Sequence, residues 1–199
     1  MSKHQKIAVL GGGSWATAIV KMLIENIETV GWYMRSEQAI EYIKENHHNP
    51  KYLRSAELNP KFLDLSDDIN YMIANYDVLI FAIPSAFVTS ELEKLKESLD
   101  NKTLFSAIKG IVPETGLIVG EHFNIKYNIP LENIGVITGP CHAEEVAMER
   151  LSYLTIACID KEKAELMSNS LKSWYIKTKI SDDIIGTEYA AMLKNIYAV

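Results

Sequence analysis

Residues 7–18 read I-A-V-L-G-G-G-S-W-A-T-A, and this stretch decides the fold. Its four leading apolar residues predict a buried parallel strand, and apolar residues at helical spacing after the glycines predict a helix. Gly11, Gly13 and Ala16 occupy the three positions of the G-x-G-x-x-G/A fingerprint of dinucleotide-binding folds. Gly11 allows the sharp turn, Gly13 lets the backbone approach a pyrophosphate, and Ala16 lets the helix pack on the strand. The free N–H groups at the start of that helix favour a bound phosphate.

Strands and helices alternate along the rest of the sequence. We predict strands at residues 28–34, 62–65, 78–83, 103–108, 134–138, 153–159 and 175–180, and helices at residues 37–46, 86–99, 116–127, 161–171 and 183–199. This alternation predicts an α/β fold with a doubly wound, mostly parallel Rossmann-type sheet, whose ligands bind beyond the carboxyl ends of the strands. The residues that follow predicted strands are the glycine-rich turn, Arg35, Lys109, Gly139 and Cys141.

The composition narrows the classes of function. The chain has 199 residues and a formal net charge of −6 with interspersed charges, which argues against a nucleic-acid partner. No apolar run is long enough to predict a membrane span, and the first residues lead directly into a core strand instead of a secretory signal. Cys141 and Cys158 make no disulfide framework, so the expected compartment is a reducing cytoplasm. The adjacent His47 and His48 have no second ligand cluster, so we expect no metal site.

The residue after the second predicted strand bears on the choice of cofactor. In NAD-specific folds this position supplies an Asp or Glu to the ribose 2′-hydroxyl. Here it carries Arg35, which cannot accept that hydrogen bond but can pair with a 2′-phosphate. The sequence therefore predicts NADPH or NADH as the cofactor, with NADPH slightly favoured. The alternative is that Arg35 is a solvated arginine at the end of a strand.

Two lysines are placed where they could take part in a reduction. Lys109 directly follows a predicted strand, and Lys194 lies in the otherwise apolar helical stretch E-Y-A-A-M-L-K-N-I-Y-A. Burial or a second cation nearby would lower the pKa of such a lysine, which could then give a proton to a carbonyl oxygen as hydride arrives. An anionic substrate would raise that pKa instead. The alternative for Lys194 is a lysine whose aliphatic stem simply covers apolar surface.

Cys141 precedes a short predicted helix, and a helix N-terminus favours the thiolate form of cysteine. No histidine-based triad surrounds it, since His142 is its immediate neighbour and points elsewhere. We therefore expect Cys141 to make a small polar contact in a substrate loop and not to act as a nucleophile.

Five motifs together resemble one family. They are G-G-G-S-W-A-T-A, N-P-K-Y-L, I-K-G, G-P-C-H-A-E-E-V-A and A-A-M-L-K-N-I-Y-A. In order and spacing, over essentially the whole chain, they resemble the bacterial NAD(P)-dependent glycerol-3-phosphate dehydrogenases, and the last two are the specific ones. The resemblance implies an oxidoreductase that transfers hydride between NAD(P)H and dihydroxyacetone phosphate. The product, sn-glycerol 3-phosphate, would feed glycerophospholipid synthesis in the cytoplasm.

The resemblance also implies roles for individual residues. The implied cofactor contacts include the two fingerprint glycines and are Gly11, Gly13, Ser14, Trp15, Arg35, Lys109 and Ala143. The implied substrate contacts are Lys109, Gly139, Cys141, Lys194 and Asn195, and Lys194 would be the catalytic acid or base. Cys141 stands where the family usually has Ser or Thr, which replaces a hydroxyl hydrogen bond by a weaker thiol one.

The family continues into a second, all-helical domain. We therefore assign residues 1–182 to a dinucleotide-binding domain and residues 183–199 to the first helix of a truncated all-α substrate domain. Such a fragment is expected to bind cofactor with little turnover. The expected partner is a phosphorylated triose, with neither nucleic acid nor a membrane span, and the sequence leaves a homodimer open.

Two other functions stay open at this point. Another two-domain reductase of 2-keto or 3-hydroxy acids would share the sheet and an interdomain lysine, but it would lack the tight G-P-x-H-A-E-E stretch. A non-catalytic NADPH-binding module would give no reason for the placement of Lys109 and Lys194.

Overall fold

The computed structural model describes residues 5–197, with side chains described as far as Lys194. The strands are β1 (Ile7–Leu10), β2 (Val30–Tyr33), β3 (Leu63–Ser66), β4 (Val78–Phe81), β5 (Thr103–Ser106), β6 (Ile111–Val112), β7 (Leu117–Ile118), β8 (Ile134–Thr138), β9 (Ser152–Cys158) and β10 (Ile176–Ser181). The helices are α1 (Ser14–Leu23), α2 (Glu37–Asn46), α3 (Ile69–Asn75), α4 (Val88–Leu92), α5 (Val119–Tyr127), α6 (Ala143–Ala147), α7 (Lys161–Leu171) and α8 (Ile184–Tyr197). None of these helices is long and apolar enough to cross a membrane.

Eight of the strands form one sheet, in the order β10-β9-β8-β5-β4-β1-β2-β3. β1 lies between β4 and β2, so that Val9 pairs with Ile80 on one side and with Trp32 on the other. Every neighbouring pair in this sheet is parallel except β8 and β9, which are antiparallel. The predicted doubly wound, mostly parallel sheet is therefore confirmed.

Helices cover both faces of the sheet, which explains why the inner strands are apolar throughout. Ile7 and Val9 of β1 face the core that α1, α2, α6 and α7 share. Ala8 and Leu10 face the opposite core, which α3, α4 and α5 cover. Because both faces are buried, each strand position gains from an apolar side chain, and the alternation typical of half-exposed strands disappears.

The turn after β1 needs glycine at its first position. Gly11 has a φ of +134°, and a Cβ there would collide with the backbone carbonyl of Ala82 at the end of β4. The Trp32 indole donates to the Gly11 carbonyl at 2.7 Å and so fixes the turn against β2. Ala16 is fully buried, as the fingerprint requires for close packing of α1 on the sheet.

Two predicted helices are shorter than the sequence indicated. In place of a helix over residues 86–99, a 3-10 turn leads into α4, which ends at Leu92. It ends because the Asn70 side chain accepts from the Lys96 N–H and donates to the Lys94 carbonyl, taking backbone groups that a longer helix would use. The helix predicted over residues 116–127 begins only at α5, because Gly116 has a φ of +69° and β6 and β7 form a small hairpin.

The reversal at β9 decides where α8 runs. β9 is antiparallel to β8 and parallel to β10. The carboxyl end of β10 therefore lies on the side of the sheet where the amino ends of β1 and β5 lie. α8 begins there, with Ile184 packed on Val136 and Ala157. Its 14 residues, at about 1.5 Å each, are long enough to run back along the sheet toward the carboxyl ends. The assignment of residues 183–199 to a second domain stays a prediction.

Candidate functional site

A cleft with two adjoining halves lies along the carboxyl ends of β1, β4 and β5. The first half is a cavity of about 450 Å³ that reaches from the glycine-rich turn to Arg35. The second half, of about 440 Å³, reaches from Ser14 and Trp15 to Lys109. Both halves share Gly13 and the residues that follow β4, so they form one elongated site.

The side chain of Asn49 stabilises the glycine-rich turn by hydrogen bonds. This side chain is buried and donates both to the Gly12 carbonyl, at 3.2 Å, and to the Thr17 hydroxyl, at 3.0 Å. Its own oxygen accepts from the backbone N–H groups of Lys51 and Tyr52. The sequence analysis assigned no role to Asn49. The signal was present in the motif N-P-K-Y-L, whose asparagine links two loops of the cleft.

Arg35 lines the first half of the cleft, where its guanidinium lies 5.5 Å from the centre of the Phe87 ring. Its side chain is 62% exposed, and Nη1 lies 3.6 Å from Oε1 of the buried Glu91. The position therefore allows contact with a group in the cleft. The arginine is not simply a solvated residue, because one side of it is held by Glu91 and Phe87.

Trp15 and Lys109 meet in the second half of the cleft. The Lys109 Nζ lies 5.6 Å from the centre of the Trp15 ring. The Trp15 indole nitrogen is buried and has no hydrogen-bond partner among the described residues. Burial lowers the pKa of Lys109, and the charge of Lys194 lowers it further. The structure thus brings together the two lysines that the sequence separates by more than eighty positions.

Cys141 is a buried thiol beside these lysines. It lines the second half of the cleft, and burial raises its pKa to about 11 although the charge of Lys109 opposes this. The expectation of a favoured thiolate was therefore wrong, because desolvation outweighs the nearby cations and the following helix α6 has only five residues. A neutral thiol can still make the small polar contact that we expected.

The remaining predicted site residues differ in their placement. Ala143 lines the second half of the cleft. Gly139 follows β8 and lies so close to the backbone of Tyr153 in β9 that a Cβ there would collide with the Tyr153 carbonyl. The side chain of Asn195 lies outside the described residues.

The cleft fits a dinucleotide. Gly13 lines both halves, and apart from its chain neighbours no atom of the described residues lies within 4 Å of the position that its Cβ would take, which leaves room for a pyrophosphate at the start of α1. The unpartnered Trp15 N–H also offers a donor inside the cleft. Among the described residues, no group of three or more His, Cys, Asp or Glu side chains could hold a metal ion.

Comparison with known proteins decides the family. A family profile described as NAD-dependent glycerol-3-phosphate dehydrogenase N-terminus matches residues 6–164. The chain belongs to this family. The match begins just before β1 and ends within α7, so it includes all the residues that line the two halves of the cleft.

Other members of the family resemble the chain over nearly all of its length. The glycerol-3-phosphate dehydrogenases (NAD(P)+) of Oceanobacillus iheyensis and Pseudomonas aeruginosa are each 33% identical to it, over 98% and 100% of this chain. Among solved structures, the glycerol-3-phosphate dehydrogenase of Plasmodium falciparum has a TM-score of 0.86 at 28% identity, over 96% of this chain and 56% of that one. The chain spans 56% and 58% of the length of the two bacterial relatives.

Glu188 is a further residue of this family member that the sequence analysis missed. It lies on α8, and its Oε2 accepts the Gly120 N–H at 2.9 Å, which ties α8 to the start of α5. Its Oε1 is buried and has no hydrogen-bond partner among the described residues. Burial raises the pKa of this carboxyl to about 7, and the Gly120 N–H opposes the rise. An acidic residue in an otherwise apolar helix, six positions before Lys194, was the available signal.

The raised pKa of Glu188 predicts that stability falls as pH rises. Its ordinary pKa is 4.5 and its folded value is about 7, so the folded state binds more protons between these values. The stabilisation is present below about pH 4.5 and is lost through about pH 7, by about 3 kcal/mol in the free energy of unfolding. We expect Glu188→Gln to remove this component. Urea unfolding at pH 5 and pH 8 measures it.

The exposed Glu132 offers a matched control for this experiment, because Glu132→Gln makes the same change of charge outside the core. Its pH dependence should equal that of the parent chain. A parent chain and a Glu188→Gln variant with the same pH dependence would contradict the assignment.

Proposed function

We propose that this chain is the cofactor-binding part of an NAD(P)-dependent glycerol-3-phosphate dehydrogenase that interconverts dihydroxyacetone phosphate and sn-glycerol 3-phosphate. The observation that carries the proposal is that Lys109 lines the half of the cleft that begins at Trp15 and that the charge of Lys194 is near enough to lower its pKa. A dinucleotide bound over the glycine-rich turn would place its reactive ring in that half. Two cations there suit a phosphorylated carbonyl compound.

The residues of the cleft have separate tasks in this proposal. Gly11, Gly13 and Ser14 bind the pyrophosphate at the start of α1, and Arg35 contacts the adenosine end. Trp15 and Ala143 line the nicotinamide end. The substrate contacts are Lys109, Gly139, Cys141, Lys194 and Asn195.

The chemistry requires a hydride and a proton. When bound, the nicotinamide supplies or accepts the hydride. Lys194 gives a proton from Nζ to the carbonyl oxygen as the C–H bond forms, and it takes the proton back in the reverse direction. Lys109 stabilises the negative charge that develops on that oxygen. Its neighbour Cys141, as a neutral thiol, keeps the substrate loop free of a negative charge that would repel the phosphate.

The setting of this reaction is part of the same proposal. The product would supply glycerophospholipid synthesis in the cytoplasm, and α8 would be the first helix of a helical substrate domain that completes the site. The chain alone would then bind cofactor with little turnover. NADPH is slightly favoured over NADH because of Arg35, and a homodimer is compatible with the fold.

A fluorescence titration of the chain with NADPH and with NADH tests cofactor binding. We expect quenching of Trp15 and energy transfer to the nicotinamide. A Trp15→Phe variant assigns the signal, because Trp32 and Trp174 remain in it. Oxidation of NADPH that depends on dihydroxyacetone phosphate, measured on the full-length protein, tests the reaction. A chain that binds neither dinucleotide, or a full-length protein that binds both and reduces no phosphorylated triose, would contradict the proposal.

A further inference from the structure

A buried carboxylate lies beside Arg35 and lines the first half of the cleft with it. Glu91 is 2% exposed and comes from α4, the helix that follows β4. Its Oε2 accepts from the Tyr33 hydroxyl at 2.8 Å, and its Oε1 accepts from the Lys94 ammonium at 2.8 Å. The same Oε1 lies 3.6 Å from the Arg35 guanidinium. The mechanism proposed above uses none of these contacts.

The Glu91 carboxylate faces more than one cation. Lys94 and Arg35 both face the single carboxylate, and Asp67 is a further charged group near Tyr33. Lys94 is about half exposed and is not among the residues that line the cleft. Arg35 does line it. The carboxylate therefore takes up part of the charge of Arg35, which together with Lys51 lines this half of the cleft.

We propose that Glu91 is a specificity-determining residue that weakens the attraction of Arg35 for a 2′-phosphate, so that the site accepts both NADPH and NADH. The inference rests on the proposed function, because it needs a dinucleotide in the cleft. The usual acid of NAD-binding folds lies at the end of the second strand, where this chain has Arg35. Glu91 brings a carboxylate to the same place from another element.

The physical reason is the range of the interaction. A phosphate that binds the Arg35 guanidinium would lie within several ångströms of the neighbouring Glu91 carboxylate, and charges at such a distance interact appreciably in a partly buried site. NADH lacks the 2′-phosphate, so the charge of Glu91 weakens the binding of NADPH more than the binding of NADH. Lys94 opposes Glu91, so removing either residue should change the preference in opposite directions.

The experiment measures the ratio of the NADH to the NADPH dissociation constants by titration of the 199-residue chain. Glu91→Gln should raise this ratio by about five- to tenfold, in favour of NADPH, because a carboxylate charge no longer offsets the charge of Arg35. Lys94→Met should lower this ratio, because the charge of Glu91 is then less neutralised. The expected change is about two- to threefold, since solvent screens the half-exposed charge of Lys94. Glu93→Gln is the matched control, since it changes the same charge on the same turn at an exposed position. Its ratio should equal that of the parent chain.

The outcomes separate the two proposals. A parent chain that binds neither dinucleotide overturns the proposed function and this inference with it. A parent chain that binds both, with Glu91→Gln and Lys94→Met shifting the ratio in the same direction or not at all, overturns the role of Glu91 alone. If Glu91→Gln fails to fold, the Lys94→Met variant decides by the direction of its shift.

Discussion

Replacing Lys194 by Met is expected to lower kcat in the full-length protein by about a hundred- to ten-thousand-fold, the range that a positioned general acid contributes. The charge of Lys194 is close enough to lower the pKa of Lys109, which lines the second half of the cleft. In the proposed mechanism, Lys194 is the group that gives the proton to the carbonyl oxygen. Steady-state reduction of dihydroxyacetone phosphate measures the loss.

A Lys194→Arg variant separates proton transfer from charge. Arginine keeps the cation, which can still attract the substrate phosphate, but it does not release a proton at neutral pH. We therefore expect Lys194→Arg to keep much of the substrate affinity and to lose kcat as severely as Lys194→Met. Titration with NADPH shows in each case whether the glycine-rich turn is intact. Full activity in Lys194→Arg would contradict the role of Lys194 as the acid.

A Gly13→Val variant is expected to fold and to lose dinucleotide binding by at least about a hundredfold, since the pyrophosphate must approach this backbone closely. The space around Gly13 is open, because apart from its chain neighbours no atom of the described residues lies within 4 Å of the position that a valine Cβ would take. The backbone at Gly13 has a φ of −83°, which any residue can adopt. The expected cost in folding is about 1 kcal/mol, from a poorer helix N-cap.

The neighbouring glycine supplies the comparison. Gly11→Ala should destabilise the chain by several times more, because Gly11 has a φ of +134° and its Cβ would collide with the Ala82 carbonyl. Thermal unfolding and NADPH titration of both variants measure the two effects separately. A Gly13→Val variant that binds NADPH as tightly as the parent chain would show that the dinucleotide does not cross this turn.

Much of the cleft could be predicted from the sequence because it depends on local patterns. The apolar run before Gly11, the φ that only glycine adopts easily and the small residue at position 16 together specify strand, turn and helix. Parallel strands place their carboxyl ends at one edge, so residues that follow strands, such as Lys109 and Arg35, were expected there.

The extent of α4 and α5 could not be predicted in the same way. The apolar spacing after residue 86 is compatible with a long helix, but Asn70 from α3 captures the backbone beyond Leu92. That competition involves residues more than twenty positions apart. It depends on how the elements pack, which the local pattern does not contain.

The sequence by itself determined the order of strands and helices, the glycine-rich turn and the family, because each depends on short motifs and on their order along the chain. Only the tertiary structure decided the rest. The reversal at β9 sends α8 back toward the carboxyl ends of the sheet, which brings Lys194 to Lys109. Burial decides that Cys141 is a neutral thiol, and packing places the Glu91 carboxylate beside Arg35. Strand pairing, burial and contacts between charged side chains all involve residues that are far apart in the chain. They follow from the order of strands in the sheet and not from any single stretch of sequence.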